Sequence, residues 1–287
     1  MSDIRSRPSV LLGALLGAGL LLAGCATPPA PAATAAANTT ANTAAAPAAD
    51  TSLRGLVEAE VPAYMRTLQG LVGIESGSRD LEGVQRIADV VAGRLRQAGM
   101  QVEQKPTQAP DFHPQLKGAK LGPMVYATRT GTGTKKVLLI AHMDTVYQRG
   151  MAAKQPFRVD GDRAYGLGIA DDKQGVALIL HVVDLLNRLR ATDYAQLGVL
   201  INSDEEIGSP GSAPFITQLG SEYDAVFSFE GGGSAAAGGR DMVRLATSSI
   251  AIVEMKVTGK ASHAGAAPEM GRNALYELSH QMLKSRQ

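Results

Sequence analysis

Apolar positions recur at two different periods along this chain, and the switches between them set out its elements. Over residues 53–74, Leu56, Val57, Tyr64, Met65 and Leu68 fall on one side at helical spacing. A second helix is predicted over 81–98. There Val84, Ile87, Val91 and Leu95 follow at intervals of three and four, and Gly99 stands where a chain leaves a helix. Residues 124–128 and 136–141 read as strands, and the unbroken run Val137 to Ala141 suits a strand covered on both faces. Residues 175–189 predict a buried helix whose richest face carries Val176, Ile179, Leu180, Val183 and Leu186. His181 inside it reads as a core histidine. Residues 197–202 and 225–229 give two further strands. Strands alternating with helices in this order imply an α/β fold, a mostly parallel sheet flanked by helices.

Near Thr247 the pattern changes. Ile250, Ile252, Glu254 and Lys256 suit an alternating strand with one wet face. A loop follows over 259–265, then a helix from Ala274 onward with Asn273 as its N-cap. Residues 51–246 therefore read as one domain and 247–287 as the first elements of an α+β domain. One strand and one helix cannot bury a core of their own, so the sequence is expected to be truncated there.

The chain has 287 residues, 45% of them apolar but only 4% aromatic, with no Trp, so the core must be aliphatic. A formal charge of +1 gives no electrostatic basis for a nucleic-acid partner or an anionic membrane face. Arg5 and Arg7 precede an apolar run over 10–22, which is shorter than the ~20 residues of a membrane span and suits a secretory signal over 1–24. Leu22-Ala23-Gly24-Cys25 resembles the lipobox of bacterial lipoproteins. That resemblance implies that Cys25 is acylated and that the lipid is the only membrane contact. It also implies a periplasmic location in the cell envelope, with Ala26 pointing to the outer membrane. A plain secretory signal with an incidental cysteine is the alternative. Cys25 is the only cysteine, which excludes an intramolecular disulfide. Residues 25–50, rich in Ala, Pro and Thr, read as a solvated tether.

Four apolar runs stop at side chains that ligate metals. KKVLLIAHMDTVY carries His142 and Asp144, AYGLGIADDKQG carries Asp171, LGVLINSDEEIGS carries Glu205 and Glu206, and YDAVFSFEGGG carries Glu230. Sites in open α/β sheets form outside the carboxyl ends of the strands, so separate segments can deliver these groups to one rim. His142 and Asp144, two apart at a strand end, project to the same side. Asp144 can then accept a hydrogen bond from the second ring nitrogen and fix the tautomer. Asp171 is the candidate metal ligand, one carboxylate able to bridge two cations ~3.5–4 Å apart, whereas Asp172 reads as a helix N-terminal charge. Glu205 and Glu206, adjacent on extended chain, point to opposite faces. One can bind metal while the other acts as general base. Singly, each motif also has an ordinary reading as a solvated acid or exposed strand end. Together, their types and positions favour a two-metal hydrolase.

HMDTVY, GLGIADDKQG, SDEEIGS, SFEGG and GKASHAGAAPEMGRNA jointly resemble the zinc-dependent glutamate carboxypeptidases. Aminoacylase, acetylornithine deacetylase and succinyl-diaminopimelate desuccinylase belong to the same metallopeptidase family. The resemblance runs from Leu53 to the last residue. It implies that His142, Asp171 and Glu230 hold one zinc ion, that Asp171 with Glu206 hold the other, that Asp144 orients His142, and that Glu205 is the general base. His263 matches a lid-domain histidine that reaches the neighbouring site in dimeric relatives, which implies a homodimer through the lid. Arg240 lies near the position where relatives have a basic residue for the substrate carboxylate. The family's further histidine ligand and lid arginine have no counterpart in this sequence; His280, on the lid helix, is not a substitute and is expected to face solvent. Fewer than two tightly held zinc ions are therefore expected of this chain. The implied activity is hydrolysis of the amide bond of a peptide or N-acyl amino acid, releasing C-terminal glutamate or a similar residue. Deacylation of N-acyl amino acids and dipeptide hydrolysis are alternatives within catalysis; a non-catalytic, lipid-anchored binding protein is the alternative outside it.

Overall fold

The computed structural model describes residues 52–111, 113, 115–231, 245 and 254–285. The chain divides into two units, Met1–Ala48 and Ala49–Gln287. The signal segment, Cys25 and the tether lie outside the described residues, as does Arg240. Among the described residues no helix is long and apolar enough to cross a membrane.

Seven strands, five α-helices and three short helical turns make up the described part of the second unit. The strands are β1 (Gln101–Gln108), β2 (Lys120–Thr130), β3 (Lys136–His142), β4 (Arg158–Asp160), β5 (Arg163–Tyr165), β6 (Gln196–Asn202) and β7 (Ala225–Ser228). The helices are α1 (Leu53–Val72), α2 (Leu81–Gln97), α3 (Gln174–Arg188), α4 (Ala213–Glu222) and α5 (Ala274–Lys284). Five strands form one sheet in the order β1-β2-β6-β3-β7, and β4 and β5 make a separate hairpin. β6 and β7 both pair in parallel with β3, while β1–β2 and β2–β6 are antiparallel. The α/β class is as expected, and its parallel core is extended by an antiparallel edge.

Side-chain alternation along the strands separates two cores. Val125, Ala127, Leu139, Ala141, Leu197, Val199 and Ile201 face α1, α2 and α3 in the larger one. Met124, Leu138 and Leu200 face the other way, against Leu219 and Tyr223 at the end of α4. Gly198 is small for that reason: a Cβ there would stand 2.3 Å from the Tyr223 hydroxyl oxygen. Layers on both faces keep the central strands dry, which is why β3 and β6 read as continuous apolar runs.

Helix ends follow local chemistry. Asp80 caps α2 by accepting the Gly83 N–H at 3.0 Å. Past its other end Gly99 has φ +81°, and the N–H groups of Gly99 and Met100 return to the carbonyls of Arg96 and Leu95. Asn273 caps α5 through the N–H groups of Leu275 and Tyr276, as expected. No residue of α5 is buried, and His280 is exposed. The strand expected around residues 250–256 is not found in its described part, because residues 254–259 have no regular structure; 250–253 lie outside the described residues.

Candidate metal centre

Parallel pairing explains how distant segments meet. His142 lies opposite Asn202, and Ile140 lies opposite Ser228. The carboxyl ends of β3, β6 and β7 therefore share one edge, and the residues next along them include Asp144, the Asp204–Glu206 turn and Glu230.

His142 sits at the middle of that edge with its side chain 1% exposed. Its Nε2 lies 2.9 Å from Oδ1 of Asp171, 3.5 Å from Oε2 of Glu230 and 3.9 Å from Oε2 of Glu205. Its Nδ1 faces Asp144 twice, with the backbone carbonyl at 3.1 Å and carboxylate Oδ1 at 3.4 Å. The expected contact with the carboxylate is thus shared with the carbonyl of the same residue. The Asp144 carboxylate is fully buried and has other partners as well. Oδ1 accepts the Glu205 N–H at 3.1 Å, and Oδ2 accepts the Glu206 N–H at 3.2 Å and the Ser78 hydroxyl at 2.7 Å. One side chain therefore brackets the histidine and the acidic turn together.

Glu205 and Glu206 do not lie on extended chain, contrary to expectation. They begin a single 3₁₀ turn, Glu205–Ile207. The cause is Asp204, whose buried carboxylate accepts the N–H groups of Gly211 and Ser212 and the Ser212 hydroxyl, drawing the chain back on itself. Glu205 is about half exposed at its side chain.

The neighbouring aspartates, joined by a cis peptide bond, divide their work. Asp171 has a side chain 62% exposed and turns one oxygen to His142. Asp172 is completely buried. Its Oδ1 accepts from Gly175 N–H at 3.2 Å, the helix-end role expected of it, and from Gln174 Nε2 at 3.1 Å. Its Oδ2 accepts the His142 N–H at 3.3 Å, fastening α3 to the end of β3.

The electrostatics call for a cation. Among the described residues the only ion-pair partner of Asp144, Asp171, Glu205 and Glu230 is His142. Burial disfavours a charged imidazole there, but the adjoining carboxylates of Asp144 and Glu230 prevail and push its pKa up to about 11. Burial raises Asp172 to about 7, with the charge of Glu230 adding to it. Glu206 rises to about 7 by burial and then by the charge of Asp171. Glu205 is also raised by burial, while the hydrogen bond to His142 lowers Glu230. One imidazole nitrogen amid several carboxylate oxygens is a donor set that fits a borderline divalent ion such as zinc. His142, Asp172 and Glu230 each offer a ligand atom within 4.8 Å of the others.

His263 is exposed, and its Nδ1 accepts from the N–H groups of Gly265 and Ala266. These contacts close its own turn and do not join it to the cluster. Ser78, the buried Asp204 and the second role of Asp172 were not legible in the sequence. Ser78 lies between two helices in a polar stretch with no periodic signal.

A family model described as Peptidase family M20/M25/M40 matches residues 138–286. Carboxypeptidase G2 of Pseudomonas sp. (strain RS-16) is 42% identical over 245 residues, covering 85% of this chain and 56% of that protein. The chain thus spans little more than half the length of that relative. Aminopeptidase PepT from Bacillus cereus ATCC 10987 superposes with a TM-score of 0.51 at 18% identity, covering 77% of this chain and 56% of that one. Human carnosine dipeptidase 1 gives 0.50 at 21% identity, with coverage of 60% and 39%. Both structures share the fold.

Proposed function

This chain belongs to peptidase family M20/M25/M40, and we propose that it hydrolyses the amide bond of a peptide or N-acyl amino acid, releasing C-terminal glutamate or a similar residue. The observation that carries the reading is the meeting of His142 Nε2 with Asp171, Glu230 and Glu205 at 2.9, 3.5 and 3.9 Å, each from a different segment. A 42%-identical relative named as a carboxypeptidase supports the reaction class.

His142, Asp171 and Glu230 would hold one zinc ion, and Asp171 with Glu206 a second. Asp172 lies close enough to His142 and Glu230 to compete for that role. Its oxygens already take three N–H donors, however, whereas Asp171 turns an oxygen to the ring and is open to solvent. We therefore assign Asp171 as the ligand and Asp172 as the group that fixes its surroundings. Bound there, zinc would supply Lewis acidity toward the water and the substrate carbonyl. Glu205 takes the proton of the attacking water and passes it to the leaving nitrogen as the C–N bond breaks. Burial makes its carboxylate a stronger base than that of an exposed glutamate. Asp144 holds the His142 ring and the Glu205 amide in one geometry.

On the same footing, Arg240 would receive the carboxylate of the departing amino acid and His263 would act across a homodimer. Acylated Cys25 would tether the enzyme to the envelope. The test of the reaction is Glu205→Gln in zinc-loaded protein given an N-acyl-L-glutamate. Turnover should vanish while zinc content stays constant, and undiminished amidase activity would remove Glu205 from the mechanism.

A further inference from the structure

A cleft of about 680 Å³ opens against Glu206, a volume typical of small-molecule sites (~300–1,000 Å³). One wall comes from residues 77–80, the other from 145–149, and Ile207 joins Glu206 at the end. The walls are tied to each other by hydrogen bonds of the chain itself. Gly77 and Thr145 form a parallel bridge, and the Ser78 N–H donates to the Thr145 carbonyl at 3.2 Å. Glu75 accepts the N–H groups of Gly150 and Ala152, each at 2.9 Å. A cleft held this way spends little entropy on ordering when it is filled.

Two arginines line it, in opposite states. Arg149 donates to Asp80 and Glu82, and so braces its own loop against the start of α2. Arg79 is exposed and has no hydrogen-bond or ion-pair partner among the described residues. A guanidinium presents a planar fork of donors that matches a carboxylate. Ile207 and the exposed Val146 supply apolar wall beside it.

We infer that this cleft receives the acyl side of the substrate, and that Arg79 is a specificity-determining residue favouring a side chain that ends in a carboxylate. The inference rests on the reading of the acidic cluster as the reaction centre. Glu206, proposed for the second zinc site, closes one end of the cleft, so a group seated there lies directly beside the reaction centre.

The test compares N-acetyl-Glu-Glu with N-acetyl-Gln-Glu, which differ only in one carboxylate on the acyl side. Zinc-loaded wild type should favour the first by about tenfold or more in kcat/KM, as a charge-assisted hydrogen bond requires. Arg79→Ala should bring the ratio near one with an unchanged melting temperature, and Arg79→Lys should restore part of it. A ratio near one in wild type, or one that survives Arg79→Ala, overturns the inference. If wild type turns over neither peptide, the proposed reaction fails by itself. Calorimetric binding of the same pair then decides Arg79 by the same criterion.

Discussion

The hydroxyl of Ser78 donates to Oδ2 of Asp144 at 2.7 Å, and both residues are buried. That bond fixes the carboxylate that in turn faces Nδ1 of His142 and holds the amides of Glu205 and Glu206. Ser78→Ala should destabilise the protein by ~1–3 kcal/mol, because a buried carboxylate loses a donor. It should also weaken zinc affinity by ~10–100-fold, as loss of a group that orients a ligand does. Thermal unfolding and zinc titration check both effects, and unchanged zinc affinity would remove Ser78 from the site.

Asp171 and Asp172 should separate cleanly under the same substitution. Asp171→Asn changes an exposed side chain, so stability should move by no more than ~0.5 kcal/mol while zinc affinity falls sharply. Asp172→Asn sets an amide NH₂ among three N–H donors, and the melting temperature should drop with a cost of ~1–3 kcal/mol. The reverse pattern would exchange their assignments.

Stability of the metal-free protein should fall as pH rises. Asp172 and Glu206 hold their protons to about 7 in the fold, against ordinary values of 3.8 and 4.5 in the unfolded chain. Between those values the native state binds more protons, so raising the pH favours unfolding. His142, pushed up to about 11 from 6.5, continues the same slope above neutrality until about pH 8, where Lys173, lowered there from 10.5 by burial, begins to oppose it. Glu230, lowered from 4.5, acts with the opposite sign only below that value. Zinc must displace the protons of its ligands His142 and Glu206, so the loaded protein should lose much of the slope. Urea unfolding at three pH values with and without zinc measures this; metal-free stability that climbs with pH would contradict it.

Gly77 stands at the junction of the two cleft walls. A Cβ there would lie 2.4 Å from the Tyr147 carbonyl oxygen, a backbone atom. Gly77→Ala should therefore displace the 145–149 loop and cost ~1–3 kcal/mol, with substrate affinity reduced more than zinc affinity. A melting temperature equal to wild type would show that the walls are not held as described.

Legibility followed periodicity. α1, α2, α3, β3 and β6 were readable because each buries a regular stripe or lies wholly inside. β1 was not, since Gln101–Gln108 is nearly all polar and contains Pro106, tolerated at the sheet edge where the register shifts between Lys105 and Thr107. α4 is short and starts on a proline turn, too brief for its Phe215, Ile216 and Leu219 to stand out. At the site, His142, Asp144 and Glu230 are legible because the ends of β3 and β7 deliver them, whereas Asp171 comes from the turn that leads into α3. The sequence places Glu205 and Glu206 on extended chain, whereas the turn that holds them is made by Asp204 with Gly211 and Ser212, contacts that no spacing rule encodes. Ser78 and Arg79 carry no such sequence signal for the same reason: their surroundings come from a loop packed against residues far along the chain.

Titration of zinc into the metal-free chain, alongside His142→Ala and Glu230→Ala, tests the central claim most directly. Saturable binding in wild type that weakens at least ~100-fold in either variant is the predicted result. Equal zinc affinity in all three proteins would contradict the convergence of these segments on one metal.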